Sequence, residues 1–329
     1  MIQPSVPLVW RGTVKRVSVT MFLCAGVVLL DGFCGSPPSA SGSDRQYSGK
    51  QGQIVVIKVP ADEMSAQVQG KFLGRTVKFF PETRPGEPKG FVGLLGVDMQ
   101  DKPGTHELAV QITDGEHDRS ISYHVRVLKE KFHVEHLKLP KDKVDLDEQS
   151  LARWKGEQEQ VKEALASDSE KKLWQPSFVE PVNGRRTGIF GSVRIMNGQA
   201  RNPHNGEDIG APLGTDVAAT NDGVVRLTVD HIFSGKGVFV DHGLGFYSMY
   251  FHLSEVVVKE GDLVRAGQIV GKVGATGRAT GPHLHWGVKL NGARVNPYAL
   301  LDLPFNAETQ SATPSPAGES ASAAGAPAP

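Results

Sequence analysis

His204-Asn205-Gly206-Glu207-Asp208 and, far downstream, His283-Leu284-His285 are the stretches on which the reading of this chain turns. The first holds a histidine and a carboxylate four positions apart; the second holds two histidines separated by one residue. On extended backbone, successive side chains alternate faces, so positions i, i+2 and i+4 point the same way. His204 with Asp208, and His283 with His285, can therefore each offer two groups to one side of a sheet. Two imidazoles and one carboxylate are a known ligand set for catalytic zinc, with a fourth position left for water. One histidine then remains to handle protons, and the pattern reads as a zinc hydrolase site on a β-fold.

Working outward, 329 residues are enough for two domains, each able to bury a core. The 36 basic and 36 acidic side chains cancel to a formal net charge of +0, which gives no argument for nucleic acid or an acidic membrane surface as the main partner. Arg11, Lys15 and Arg16 precede an apolar run over 17–30 that Asp31 ends. This run is shorter than the roughly 20 apolar residues of a membrane span, so 1–35 reads as a secretory signal peptide, with an uncleaved N-terminal anchor as the second reading. Export to the periplasm or cell envelope follows. Cys24 and Cys34 both lie in or beside this leader, so the mature protein folds without a disulfide framework.

Short β-rich runs over 54–59, 75–80, 91–97, 107–113 and 120–128 alternate with turn residues, and Asp114-Gly115 between the last two signals a hairpin. Residues 50–130 are accordingly expected to form an accessory Ig-like β-sandwich. His106, His117, His124, His133 and His136 fall at unrelated spacings and read as structural or solvated. Residues 141–173, rich in Glu, Lys, Gln and Ala, predict a linking helix with Asp147 as N-cap. Leu151, Trp154, Val161 and Leu165 would form its packed stripe. Strands return over 178–303 with dense glycine, and 306–329, made of Ala, Ser, Pro and Gly, predicts a disordered tail.

Phe190-Gly191, the run from Pro203 to Asp208, Gly214-Thr215, Asp222-Gly223-Val224-Val225, Tyr250-Phe251-His252-Leu253, Gly261-Asp262 and the run from Gly281 to His285 together resemble the catalytic domain of the lysostaphin-type, or LytM-like, zinc metalloendopeptidases of peptidoglycan. The resemblance covers about 178–301. It implies a C-terminal antiparallel β catalytic domain holding one Zn2+ through His204, Asp208 and His285. It leaves His283 and His252 unliganded, with His283 as general base and His252 as transition-state stabiliser; exchanging those two roles would not contradict the sequence. It further implies that loops over 194–202 and 275–281 border the substrate groove, with Arg194, Arg265 and Arg278 as candidate contacts for stem-peptide carboxylates. The implied partner is peptidoglycan, and the arrangement of an accessory domain before the enzyme leans toward a D,D-endopeptidase. Gly206 is expected to let the chain turn between two ligands, and Gly277 with Gly281 to let the loop before His283 approach closely.

Two rivals come from other classes. The run from Glu260 to Gln268 also resembles half of a biotinyl or lipoyl carrier domain, but no Met-Lys-Met or Asp-Lys-Ala tip accompanies it. The second is a zinc-free relative that binds and activates a cell-wall amidase; such relatives lose ligands, whereas His204, Asp208 and His285 are all present. His231 and His242 lack partner spacing and are not expected to bind metal.

Overall fold

A computed structural model describes residues 46–305, apart from 62–63, 84–88, 116, 138–146, 167–168 and 201. The expected leader and tail lie outside the described residues, and no described helix is long and apolar enough to cross a membrane. The chain is mainly β.

Seven strands come first: β1 (Gln46–Lys50), β2 (Ile54–Pro60), β3 (Gln67–Phe72), β4 (Arg75–Glu82), β5 (Gly90–Gly96), β6 (Gly104–Asp114) and β7 (His117–Leu128). They follow one hydrogen-bonded path, β1-β7-β6-β3-β4-β5-β2, in which β4 carries the sheet from one arm to the other. Ile57, Phe91 and Leu95 on one arm enclose a core with Phe72, Leu108, Val110, Ile112 and Val125 on the other. The Asp114-Gly115 hairpin joins β6 to β7, pairing Asp114 with His117. β3 alternates strictly between exposed and buried positions, as a half-buried strand should. β5 is buried at every position. The reason is double packing: Phe91 and Leu95 face the first core, while Val92 and Leu94 face a second one built with residues from the C-terminal half.

β8 (Val134–Leu137) leads to helix α1 (Glu148–Ala164), whose N-cap Asp147 accepts a hydrogen bond from Ser150 N at 2.7 Å. The helix stops at Leu165, short of the expected 173. Of the predicted stripe, Val161 and Leu165 pack on Leu227, Val229, Phe239 and Met249, but Leu151 is exposed. Glu157 is the buried helix residue instead: its carboxylate accepts from Ile232 N at 3.0 Å and from Arg153 at 2.8 Å. A satisfied carboxylate thus lies on the packed face between Trp154 and Val161, where the apolar stripe has a gap. The residues after α1 also do more than link. Ser169 O accepts from Leu244 N, and Leu173 N donates to His242 O, so this segment lies along the C-terminal sheet.

The second half contributes β9 (Arg185–Gly188), β10 (Val193–Met196), β11 (Gln199–Ala200), β12 (Gly206–Gly210), β13 (Asp216–Ala218), β14 (Gly223–His231), β15 (Gly235–Gly243), β16 (Phe246–Leu253), β17 (Glu255–Val256), β18 (Leu263–Val264), β19 (Ile269–Lys272), β20 (His283–Leu290) and β21 (Ala293–Val295). Eight of them form one antiparallel sheet, β18-β14-β15-β16-β20-β12-β9, with β21 added beside β20. β10 and β11 pair with each other, and β10 pairs in parallel with β8. Along β20, Leu284, Trp286, Val288 and Leu290 point into the second core, which leaves His283, His285 and Lys289 on the opposite face.

The two halves share that second core, where Phe80, Val92 and Leu94 meet Trp174, Phe178 and Phe305. Polar contacts close the junction. Gly96 N donates to Asn291 Oδ1 at 3.2 Å, Asn296 N donates to Gly52 O at 2.8 Å, and the Arg294 guanidinium grips Asp98 at 2.7 and 3.0 Å. Burial opposes ionisation of Asp98, but the Arg294 and Gln100 donors overcome it and hold the carboxyl below its ordinary 3.8. A depressed folded-state value means this contribution is complete above 3.8 and is lost as pH falls below it. Arg294→Ala should therefore cost about 2 kcal/mol or more in urea unfolding at neutral pH, because it strands a buried carboxylate. The same variant should show a weaker acid dependence of stability than the parent.

Candidate metal centre

Register brings the distant motifs together. β12 pairs antiparallel with β20 so that Asp208 stands directly opposite His285, and β16 pairs with the other edge of β20, setting Phe251 opposite His285. His204 precedes β12 and is anchored by two backbone hydrogen bonds: its N donates to Ser192 O, and its O accepts from Gly191 N. The result is one tight cluster. His204 Nε2 lies 3.0 Å from Asp208 Oδ1 and 3.0 Å from His285 Nδ1, and His285 Nδ1 lies 2.9 Å from Asp208 Oδ1. All three residues are buried, and they form the one group among the described residues with ligand atoms placed to share a metal ion.

The donor set fits such an ion. Tetrahedral ligands at roughly 2.0–2.1 Å from zinc stand about 3.3 Å apart, close to the spacing found here. His204 Nδ1 faces Ile189 O at 3.1 Å; a carbonyl only accepts, so the proton sits on Nδ1 and Nε2 turns a lone pair into the cluster. Burial alone would raise the Asp208 carboxyl, but His204 and His285 beside it hold it far below the ordinary carboxylate range. Burial pushes His285 down, His204 adds to that, and Asp208 opposes it. The cluster thus presents an anionic oxygen and two imidazole nitrogens at one point.

Two glycines make room for it. A Cβ on Gly206 would stand 2.6 Å from His285 Nε2 and 2.5 Å from Trp286 O; one on Gly188 would stand 2.3 Å from Asp208 Oδ2. Gly206 lies within strand β12, so its use here is close approach rather than the expected turn. Gly277 does adopt a positive φ of 69° and packs against the backbone of Phe233 and Gly235, whereas Gly281 faces open space. Gly277 thus follows the expectation and Gly281 does not.

His252 and His283 sit beside the cluster with ring centroids 4.7 Å apart. His252 Nδ1 faces Thr276 O and His283 Nδ1 faces Gly281 O, each at 2.8 Å, so each ring turns its Nε2 away from that carbonyl. His283 Nε2 is 3.8 Å from Asp208 Oδ1. His252 has φ 63°, a left-handed conformation costly for a bulky residue and held by its N–H bond to Ser234 O. Burial, aided by His285, pushes its imidazolium down to about 4, and the Thr276 carbonyl opposes that.

Other candidates fall elsewhere. His242 is fully buried, stacked on Phe246 and bonded to Ser248 Oγ and Asp222 O, with burial pushing it down to about 4. His231 bonds Gln160. The five histidines of the first half join no metal-capable group among the described residues. Arg278 stacks over Phe233 at 4.2 Å, and Arg265 is exposed with Asp222 at 3.8 Å. Arg194 lies on β10.

Sequence reading missed the support behind β12. Glu207, between the two motif residues that face the cluster, turns to the other side and is fully buried. It accepts from Arg186 at 2.6 and 3.0 Å and from Phe190 N at 3.2 Å, and Arg186 in turn lies over the Tyr298 ring. The alternation that aims Asp208 at the cluster is the signal that aims Glu207 away from it. The partner Arg186, distant in sequence, had no such signal.

A mainly antiparallel sheet bearing a buried His-Asp-His cluster defines a metal-site β-protein, and comparison with known proteins narrows the class. Residues 202–297 match the model of peptidase family M23. A solved Pseudomonas aeruginosa protein assigned to peptidase M23 is 31% identical, with 76% of this chain and 94% of that chain covered at a TM-score of 0.60. The chain belongs to peptidase family M23. Curated relatives include the Vibrio cholerae peptidoglycan DD-endopeptidase ShyA, 46% identical over 94 residues (29% of this chain, 22% of the relative). The Neisseria meningitidis DD-carboxypeptidase/endopeptidase Mpg is 43% identical over 97 residues (30% of this chain, 22% of the relative). The matched segment thus spans about a fifth of these relatives' length.

The space left by the two glycines gives a direct test. Gly206→Ala should weaken Zn2+ binding about 10- to 100-fold in competition with a chromophoric chelator, because the added methyl displaces the His285 ring. Gly261→Ala, where an added Cβ meets nothing within 4 Å, should leave Zn2+ affinity unchanged despite its backbone strain.

Proposed function

We propose that this chain is a zinc-dependent endopeptidase that hydrolyses peptide bonds of peptidoglycan stem peptides or cross-links, exported to the periplasm or cell envelope. One observation carries the reading: three metal-ligating atoms converge within 3.0 Å of one another while two further imidazoles stand beside them. His204, Asp208 and His285 would hold the ion. Bound there, zinc would supply Lewis-acid polarisation of water and of the scissile carbonyl. The names of ShyA and Mpg support a D,D-bond as the target. The zinc-free activator reading is not favoured, because every ligand is present and aimed at one point.

The remaining steps belong to the chain's own side chains. His283, less buried than His252 and with Nδ1–H committed to Gly281 O, takes the proton from the attacking water on Nε2 and returns it to the leaving amine. His252 has its Nδ1–H committed to Thr276 O and its imidazolium pushed down to about 4, so at neutral pH its Nε2 is also a proton acceptor, and the base and stabiliser roles of His283 and His252 stay exchangeable in this reading. Residues 178–303 form the catalytic domain in this reading, 141–173 the connecting helical segment, and 50–130 an Ig-like accessory domain that positions the wall polymer or restrains access to the cleft.

Asp208→Ala and His285→Ala should each lose bound zinc and the release of muropeptides from purified sacculi. His283→Ala should retain zinc while turnover drops about 10²- to 10⁴-fold. An empty site in zinc-replete His283→Ala would show that His283 is a ligand and that the division of roles is wrong.

A further inference from the structure

Helix α1 grips a turn that reaches the surroundings of the metal cluster. Arg153, Glu157 and Gln160 recur at i, i+4 and i+7, so they lie along one face of the helix. All three bind the end of the β14–β15 hairpin. Arg153 Nη2 donates to Asp230 O at 2.8 Å, and His231 Nε2 donates to Gln160 Oε1 at 3.1 Å. The Glu157 carboxylate accepts from Ile232 N at 3.0 and 3.2 Å and from Arg153 Nε at 2.8 Å. Glu157 is only 9% exposed, so a carboxylate has been buried here with its donors in place. α1 lies outside residues 202–297, so the grip comes from beyond the segment that matches the family model.

The other side of the same turn holds His252. Strand β16 bulges there: between the pairs Val238–Tyr250 and Lys236–Leu253, Gly237 stands opposite both Phe251 and His252. A bulge re-aims a side chain, and this one is where His252 takes its φ of 63°. Backbone in that region persists only when its surroundings hold it. The turn supplies the hold, since Ser234 O accepts from His252 N at 2.9 Å. The ring is fixed from the same side. Thr276 O faces His252 Nδ1 at 2.8 Å, while Thr276 Oγ1 accepts from Lys236 N at 3.0 Å and donates to Leu253 O at 2.8 Å. Phe233 O accepts from Arg278 N at 2.8 Å, which ties the loop before His283 to the turn as well. Ile232, Phe233 and Ser234 thus connect the helix to both the backbone and the ring of His252.

We propose that Glu157 is a positioning residue for the hydrolytic reaction, holding the His252 imidazole in place through the turn at 232–234. The proposal rests on the peptidase reading above and holds for either role of His252. Glu157 fixes the amide of Ile232, and Ser234, two positions on, carries the carbonyl that His252 N needs. Without that acceptor the Ile232 N–H would turn toward water, and the bulge would lose its support. The metal ligands follow another path: Asp208 and His285 are set by the pairing of β12 with β20. Loss of Glu157 should therefore slow turnover without emptying the site.

The test combines steady-state hydrolysis of soluble cross-linked muropeptide dimers with hydrogen exchange of individual amides, both in the zinc-loaded full chain. Glu157→Ala should lower kcat about 10- to 100-fold with KM changed less than about twofold, because a displaced group costs rate rather than binding. The His252 amide should exchange about tenfold faster, while the Leu284 and Trp286 amides of β20 keep the parent's rates and zinc affinity is unchanged. Glu157→Gln, whose amide oxygen still accepts from Ile232 N, should restore both readouts. Glu159→Gln, on the exposed side of the helix, should match the parent. If Glu157→Ala does not fold, Arg153→Ala should show the same pattern with kcat about threefold lower, since its contact is half-exposed. Parental kcat in folded Glu157→Ala (or, failing that, in Arg153→Ala) would overturn the proposal. So would equal acceleration at His252, Leu284 and Trp286, or a Glu157→Gln variant as slow as Glu157→Ala. A parent that cleaves no muropeptide bond would sink the peptidase reading and this proposal with it, an outcome distinct from an active parent with an equally active Glu157→Ala.

Discussion

The pairing of Asp208 with His285 across β12 and β20 is the constraint on which the rest depends. Antiparallel register sets two residues from distant parts of the chain face to face, and alternation decides which side of the sheet they share. A slip of one residue would turn Asp208 into the core and bring Glu207 to the cluster. The sheet guards against that slip from both sides. Ile209, Leu284 and Trp286 are wholly buried on the core face, and Glu207 is held there by Arg186 and Phe190 N. The site's geometry is thus a by-product of how the opposite face packs.

That construction also sets the electrostatics. Taking a carboxylate out of water is unfavourable unless donors replace the lost hydration. Here ring nitrogens of His204 and His285 stand 3.0 and 2.9 Å from Asp208 Oδ1, and three imidazoles are each turned by a backbone carbonyl: Ile189 for His204, Thr276 for His252 and Gly281 for His283. None of those carbonyls could be assigned from residue type, because every residue carries one. Backbone geometry, not side-chain chemistry, orients the rings.

Much of the architecture was nonetheless legible in the sequence. The β-runs over 54–59, 75–80 and 120–128 fall inside observed strands, and Asp114-Gly115 marks the hairpin it was expected to mark. β1 and β3 escaped notice because Gln46–Lys50 and Gln67–Phe72 carry lysine and glutamine on their exposed faces and a glycine at a buried position, which dilutes a β signal. The helix N-cap was legible at Asp147 and the packing at Val161 and Leu165, but the burial of Glu157 was not: it is satisfied by an amide and an arginine that the fold brings near. His204, Asp208 and His285 stood out because strand alternation is local. The roles of Gly188 and Gly206 did not, since a glycine that leaves room for a ring looks like any other until the ring is placed.

The parallel pairing of β8 with β10 has a mechanical consequence. Val134 is matched to Val193 and His136 to Ile195, so the strand that leaves the first sheet is stitched to the hairpin just before His204. A tether that is also a strand partner behaves as a lever: lengthening or shortening it by one residue would reindex the hairpin rather than add slack.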